Sequence, residues 1–193
     1  ELPIDLKQIE GLKSLEALNI EGSPVVSLKG IEAFTNLKEA NLSDLNLDTC
    51  PSLTDLINLV SLDLSDNLLT DLGCLSGLKN LRSLNIRNNP ELRSIEGLQT
   101  LSSLQTLDAA DNKINSLEPL AGTQNLSVLR MENNEVSSLA SLAQLVHLNF
   151  INFLANPIAA LSPRPEADCP RVARNEVLPA FCQCEQAFPG FCQ

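Results

Sequence analysis

One frame of leucines recurs along this chain, and it constrains the fold more than any other feature. The segment from Leu59 to Leu75 follows L-x-x-L-x-L-x-x-N-x-L-x-x-L-x-x-L, and the frame returns at Leu15, Leu37, Leu81, Leu104, Leu126 and Leu148. The first strand position of each unit falls at Leu18, Ala40, Leu62, Leu84, Leu107, Leu129 and Ile151, in steps of 22, 22, 22, 23, 22 and 22 residues. The one longer step is an extra residue in the turn Asn89-Pro90-Glu91-Leu92. A unit this short cannot bury its apolar face alone, so the copies have to stack into a solenoid.

Each frame position has a physical task. The L-x-L segment is a short parallel strand with both leucines inward and the residue between them outward. The asparagine column Asn67, Asn89, Asn112, Asn134 and Asn156 sits where the chain leaves the strand. There a buried amide bonds backbone groups that an aliphatic residue would leave unsatisfied. Leucines such as Leu69, Leu72 and Leu75 line the opposite wall, expected as extended or 3₁₀ turns because the unit is too short for full α-helix. Two early units depart from the rule, with Ser23 and Leu45 in the asparagine column. Leu45 cannot bond, so an irregular turn is expected around Asn46.

The chain has no Trp, no Tyr and six Phe, so its core is filled by aliphatic residues. Its net charge of −11 disfavours nucleic acid and anionic membrane as partners. The charge is uneven: residues 1–66 hold 12 acids and 4 bases, residues 67–163 hold 8 and 6. Solubility accounts for this, as does a basic partner near the N-terminal half. No run of 18 apolar residues exists, so no membrane insertion is expected within this chain. The sequence starts at Glu1 with no signal-like stretch, so any export signal is expected to lie outside it.

Three segments follow. Residues 1–14 form an N-terminal half-coil, either a cap or the remainder of further repeats; residues 15–161 carry seven repeats; residues 162–193 form a Cys/Pro-rich C-terminal cap. Four cysteines, Cys169, Cys182, Cys184 and Cys192, lie in that cap. They suit a disulfide staple in an oxidising compartment. Cys182 and Cys184 are too close to pair comfortably with each other, leaving two connectivities, of which Cys169–Cys182 with Cys184–Cys192 is the preferred one. A four-thiolate zinc site competes poorly, since the spacing lacks the C-x₂-C knuckles zinc prefers. Cys50 and Cys74 lie close enough in the frame for a bridge, although Cys50 also fits as a small buried hydrophobe. Two sequons, Asn41-Leu-Ser43 and Asn125-Leu-Ser127, are short enough to arise by chance.

The 22-residue frame over residues 6–161 resembles the short leucine-rich-repeat class, which includes bacterial internalins and intracellular phosphatase-regulatory repeat proteins. The tail Asn156-Pro157…Cys169-Pro170…Phe181-Cys182 resembles the endings of exported bacterial members. The resemblance implies an α/β leucine-rich-repeat horseshoe with a parallel β-sheet on its concave face. It also implies protein recognition on that face, and names no partner.

Nothing in the sequence assembles a catalytic site. The single histidine, His147, is expected to be solvated, and no cofactor or metal is expected. Six of seven outward strand-centre positions are Asn or Asp: Asn19, Asn41, Asp63, Asn85, Asp108 and Asn152, with Arg130 the exception. Since these residues are depleted in strands, an inter-coil hydrogen-bond ladder or inheritance through duplication is expected. A second column, Asp44, Asp66, Asn88, Asp111 and Asn133, fits turn preference. Both columns spread their oxygens along a line, which suits calcium poorly. A third outward column runs Glu21, Ser43, Ser65, Arg87, Ala110, Glu132 and Leu154.

Because a few aromatic and arginine anchors carry most interfaces, the partner-binding residues are expected to be Arg87, Val128, Arg130, Glu132, Phe150, Asn152 and Leu154. Partial cover of Phe150 and Leu154 by the C-terminal cap is the competing expectation. The leading function is a non-enzymatic recognition or adhesion module at an extracellular, cell-surface or periplasmic location. The alternatives are a structural segment of a larger surface assembly and an intracellular regulatory scaffold holding an enzyme in its groove.

Overall fold

The computed structural model describes residues 4–5 and 12–158. Among the described residues nine short strands run in chain order: β1 (Ile4–Asp5), β2 (Ala17–Asn19), β3 (Val25–Ser27), β4 (Glu39–Asn41), β5 (Ser61–Asp63), β6 (Ser83–Asn85), β7 (Thr106–Asp108), β8 (Val128–Arg130) and β9 (Phe150–Asn152). Seven of them form one parallel sheet in the order β2-β4-β5-β6-β7-β8-β9, while β1 pairs in parallel with β3. Every step of the large sheet is in frame, from Leu18 beside Ala40 to Leu129 beside Ile151. The extra residue after Asn89 does not disturb it, since Ser83 still stands beside Thr106. The insertion is absorbed in a turn closed by Leu92 N–H donating to Asn89 O at 2.9 Å.

The opposite wall is built of 3₁₀ turns at Ile31–Ala33, Gly73–Leu75, Leu98–Thr100, Glu118–Gly122 and Ala140–Gln144. Their leucines meet those of the strands in one continuous core, in which Leu62, Leu64, Leu69, Leu72 and Leu75 are all essentially inaccessible. Each such side chain contributes about 1.5–3 kcal/mol by leaving water. The stacking of identical units, rather than any single contact, is therefore what holds the coils together.

The strand exits share one conformation. Asp44, Asp66, Asn88, Asp111, Asn133 and Ala155 all have φ between 53° and 58°. This left-handed region is one that Asn and Asp tolerate better than other side-chain-bearing residues, which explains the acidic and amide residues of that column. Around the missing amide at Leu45 the turn is irregular, with Asn46 also at φ 54°. Asn67 Oδ1 compensates by accepting from both Leu45 N–H (3.1 Å) and Leu47 N–H (3.0 Å).

The coil that follows this turn carries Cys50-Pro51, and it has no 3₁₀ turn among the described residues. A disulfide joins Cys50 to Cys74 of the next coil, 24 residues on, with Cα atoms 5.7 Å apart. Closing a loop of that length restricts the unfolded chain by about 3 kcal/mol. Replacing both cysteines by alanine should lower the free energy of urea unfolding by about that amount. Equal midpoints for the oxidised protein and the double variant would show that the coil holds its place without the bridge. Cys169, Cys182, Cys184 and Cys192, with the rest of the expected cap, lie outside the described residues.

Candidate concave-face binding site

Alternation along each strand of the seven-stranded sheet puts its first and third residues on the concave face and its central residue, Leu18, Ala40, Leu62, Leu84, Leu107, Leu129 or Ile151, toward the core. The third outward column continues two residues further on. At six of the seven strands the Asn or Asp side chain accepts a hydrogen bond from the backbone N–H two residues ahead. Examples are Glu21 N–H to Asn19 Oδ1 at 3.1 Å, Arg87 N–H to Asn85 Oδ1 at 3.1 Å and Leu154 N–H to Asn152 Oδ1 at 3.1 Å. These residues therefore cap strand ends. The expected inter-coil ladder is realised within this column only where Asn85 Nδ2 donates to Asp63 Oδ2 at 2.9 Å.

The third column is less exposed than its outward frame position suggests. Ser43, Ser65 and Ala110 are buried. Both serine hydroxyls fold back, onto Asn41 Oδ1 at 2.7 Å and Asp63 Oδ1 at 2.5 Å. Small residues here sink into the sheet surface, so the relief of the face comes from the larger side chains.

Six of the expected partner-binding residues come together, Val128, Arg130, Phe150 and Asn152 on β8 and β9 and Glu132 and Leu154 two residues beyond them. Val128 stands beside Phe150 and Arg130 beside Asn152 in register. The Arg130 guanidinium carbon lies 5.1 Å from the centroid of the Phe150 ring, within cation–π range. Asn152 Nδ2 donates to Glu132 Oε1. Leu154 is 63% exposed, whereas Val128, Arg130, Glu132, Phe150 and Asn152 are half-buried. Arg87 stands apart, two coils away and held by Asp111 at 2.7 Å. The patch thus pairs an apolar surface with a charged group stacked over it, and Glu132 Oε2 beneath is buried without a hydrogen-bond partner among the described residues.

A second ladder was not among those expected from the repeat frame. On the edge where the chain climbs into each strand, Asn36, Asn58, Asn80 and Asn125 each donate Nδ2 to a carbonyl of the preceding coil, at 2.8–2.9 Å. His147 takes the same frame position, its Nδ1 2.9 Å from Gln124 O. Its ring therefore has a structural partner, although it is exposed. The signal was present in the sequence as asparagines at a fixed offset before the strands. Outward polar residues there look like ordinary surface.

No group of three or more His, Cys, Asp or Glu able to hold a metal occurs among the described residues. No helix among them is long and apolar enough to cross a membrane.

A family profile described as leucine rich repeats in two copies matches residues 57–100, 79–123 and 102–144. No curated protein sequence matches the chain. Among solved structures, an internalin C2 from Listeria monocytogenes aligns with a TM-score of 0.77 at 28% identity, over 86% of this chain and 74% of the other. A leucine-rich-repeat protein from Leptospira interrogans aligns with a TM-score of 0.78 at 24% identity, over 99% of this chain and 51% of its own length. A chain in the Toll–Spatzle complex of Drosophila aligns with a TM-score of 0.67 at 20% identity, over 80% of this chain and 22% of the other. The latter two are likenesses of fold, and this chain spans about half, and under a quarter, of those relatives. The fold is a leucine-rich-repeat solenoid similar to that of internalins.

Proposed function

We propose that this leucine-rich-repeat protein is a non-enzymatic recognition module that holds a protein ligand on its concave sheet. Its principal contacts are Val128, Arg130, Glu132, Phe150, Asn152 and Leu154, with Arg87 at the margin. Leucine-rich repeats typically bind proteins, and a chain of this fold occurs in the Toll–Spatzle complex. The observation that carries the reading is the Arg130–Phe150 stack beside the exposed Leu154. Arginine and aromatic side chains are the residue types that dominate interface energetics. The stack also holds the guanidinium in place before a partner arrives, which reduces the entropy lost on binding.

The Cys50–Cys74 bridge favours an oxidising location, extracellular, cell-surface or periplasmic, over an intracellular scaffold. A recognition role needs no cofactor.

The test is capture of partner proteins from surface and secreted fractions by the oxidised chain, repeated with Arg130→Ala/Phe150→Ala. The double variant should weaken binding of the captured partner by about 2 kcal/mol, roughly thirtyfold in Kd. Its urea midpoint should stay close to that of the parent, because both side chains lie on the surface of the sheet. Unchanged affinity would remove these residues from the interface.

A further inference from the structure

We infer that the segment of the partner lying on this face is an extended, cationic stretch of polypeptide. It runs along the solenoid axis with an apolar side chain on Phe150 and Leu154 and basic side chains at Asp108 and Asp63. The inference rests on the protein-binding reading above and adds the chemistry of the ligand.

Charge points to the sign. The concave columns carry Glu21, Asp63, Asp108 and Glu132, with Glu39 at the first outward position of β4, against two arginines. Arg87 is already held by Asp111 at 2.7 Å. Arg130 stands beside Asp108 in register, yet it stacks on Phe150, and no ion pair links it to Asp108 among the described residues. Asp108 uses Oδ1 to accept from Ala110 N–H at 3.2 Å, and it stays half-exposed in the middle of the sheet.

Spacing points to an extended ligand. Asp63, Asp108 and Asn152 share one outward column on β5, β7 and β9, alternate strands of the sheet, and Phe150 and Leu154 flank Asn152 two residues to either side. Neighbouring strands are ~4.8 Å apart, so two coils advance ~9.6 Å, while three residues of extended chain in the polyproline II conformation advance ~9.3 Å and bring the side chain back to the same side. A peptide crossing the strands therefore meets the apolar anchor, Asp108 and Asp63 with every third side chain. A helix would have to use a seven-residue rhythm instead, at ~1.5 Å per residue.

The experiment is a fluorescence-anisotropy titration of the oxidised full chain with labelled synthetic peptides. The first has a leucine followed by lysines three and six residues away, made in both chain directions. Companions carry the lysines next to the leucine, glutamates in place of the lysines, or the same side chains at seven-residue spacing in a helical sequence. Expected is binding of the three-residue peptide in one direction, about tenfold or more tighter than any companion and weakened by added salt. Asp63→Asn/Asp108→Asn should reduce that binding by about tenfold or more, with its unfolding midpoint measured as a control.

Equal or tighter binding of the glutamate, shuffled or helical peptide would overturn the inference, as would no binding of any peptide. Phe150→Ala in the same titration separates the two readings. If it abolishes binding while Asp63→Asn/Asp108→Asn changes nothing, the cationic inference fails and the recognition site stands. If the aspartate pair matters and Phe150 does not, the placement of the anchor, and with it the inference as stated, fails.

Discussion

Replacing Gly97 by alanine should destabilise this protein by about 3–5 kcal/mol, at the upper end of what single substitutions do. Two separate costs meet at this residue. Its φ of +105° is a conformation that side-chain-bearing residues rarely adopt, which costs about 1–3 kcal/mol. A Cβ there would also overlap the carbonyl oxygen of Leu72 in the preceding coil and lie 3.0 Å from its carbon. Both obstacles are backbone, so relief requires neighbouring coils to separate and weakens the core they share.

The molecule supplies its own controls for this prediction. Gly77 has φ +102°, and a Cβ added there would meet nothing within 4 Å, so Gly77→Ala should show the conformational cost alone. Gly122 needs no positive φ, but a Cβ there would overlap Gln99 O, so Gly122→Ala should show the clash alone. Urea midpoints at unchanged m-value measure all three. A Gly97→Ala loss no larger than that of Gly77→Ala would mean that the coils part without penalty.

The fold was legible in the sequence because its determinants are local and repeated. A leucine at Leu62 or Leu107 faces inward for the same reason in every unit, so the steps between these residues specify the strand register directly. The asparagine column and the Asp/Asn turn column were equally visible, since each residue satisfies backbone groups at a fixed offset. Features that depend on where one coil lies against the next were less so. Cys50 and Cys74 are 24 residues apart rather than one 22-residue period, so their bridge depends on how the irregular coil after Asn46 travels. The burial of Ser43 and Ser65 depends on hydrogen bonds to Asn41 and Asp63 that alternation alone does not predict. The register implied that Arg130 and Phe150 would be neighbours. That the guanidinium chooses the ring over Asp108 is a matter of side-chain orientation, which a sequence pattern does not carry.

Replacing Asn89 by aspartate should cost roughly 4–5 kcal/mol at neutral pH, more than replacing it by leucine. The Asn89 side chain is fully buried. Its Nδ2 donates to Leu64 O at 3.1 Å and Ile86 O at 3.0 Å, and its Oδ1 accepts from Leu69 N–H at 3.0 Å. Leucine in its place would strand the buried Leu69 N–H, for about 1–3 kcal/mol. The two carbonyls would keep a second partner each, because Leu64 O also accepts from Asn67 and Ile86 O from Asn112. The carbonyls of Ala109 and Met131 are each shared by two amides in the same way, which limits the loss from removing one amide. Aspartate is worse because it preserves the acceptor while turning a donor into a second, negatively charged oxygen that faces two carbonyl oxygens.

Burial and those carbonyls would raise the new carboxyl's pKa above its unfolded value, so the folded protein would bind a proton more tightly than the unfolded chain. Stability of Asn89→Asp should therefore fall as pH rises from the unfolded pKa towards the raised one, and recover on acidification. The parent sets the baseline, so the quantity to compare is the difference in unfolding free energy between variant and parent at each pH. Asn89→Leu should show no such dependence. Equal, pH-independent losses for the two variants would mean that the amide only fills space, and that the leucine core alone sets the spacing of the coils.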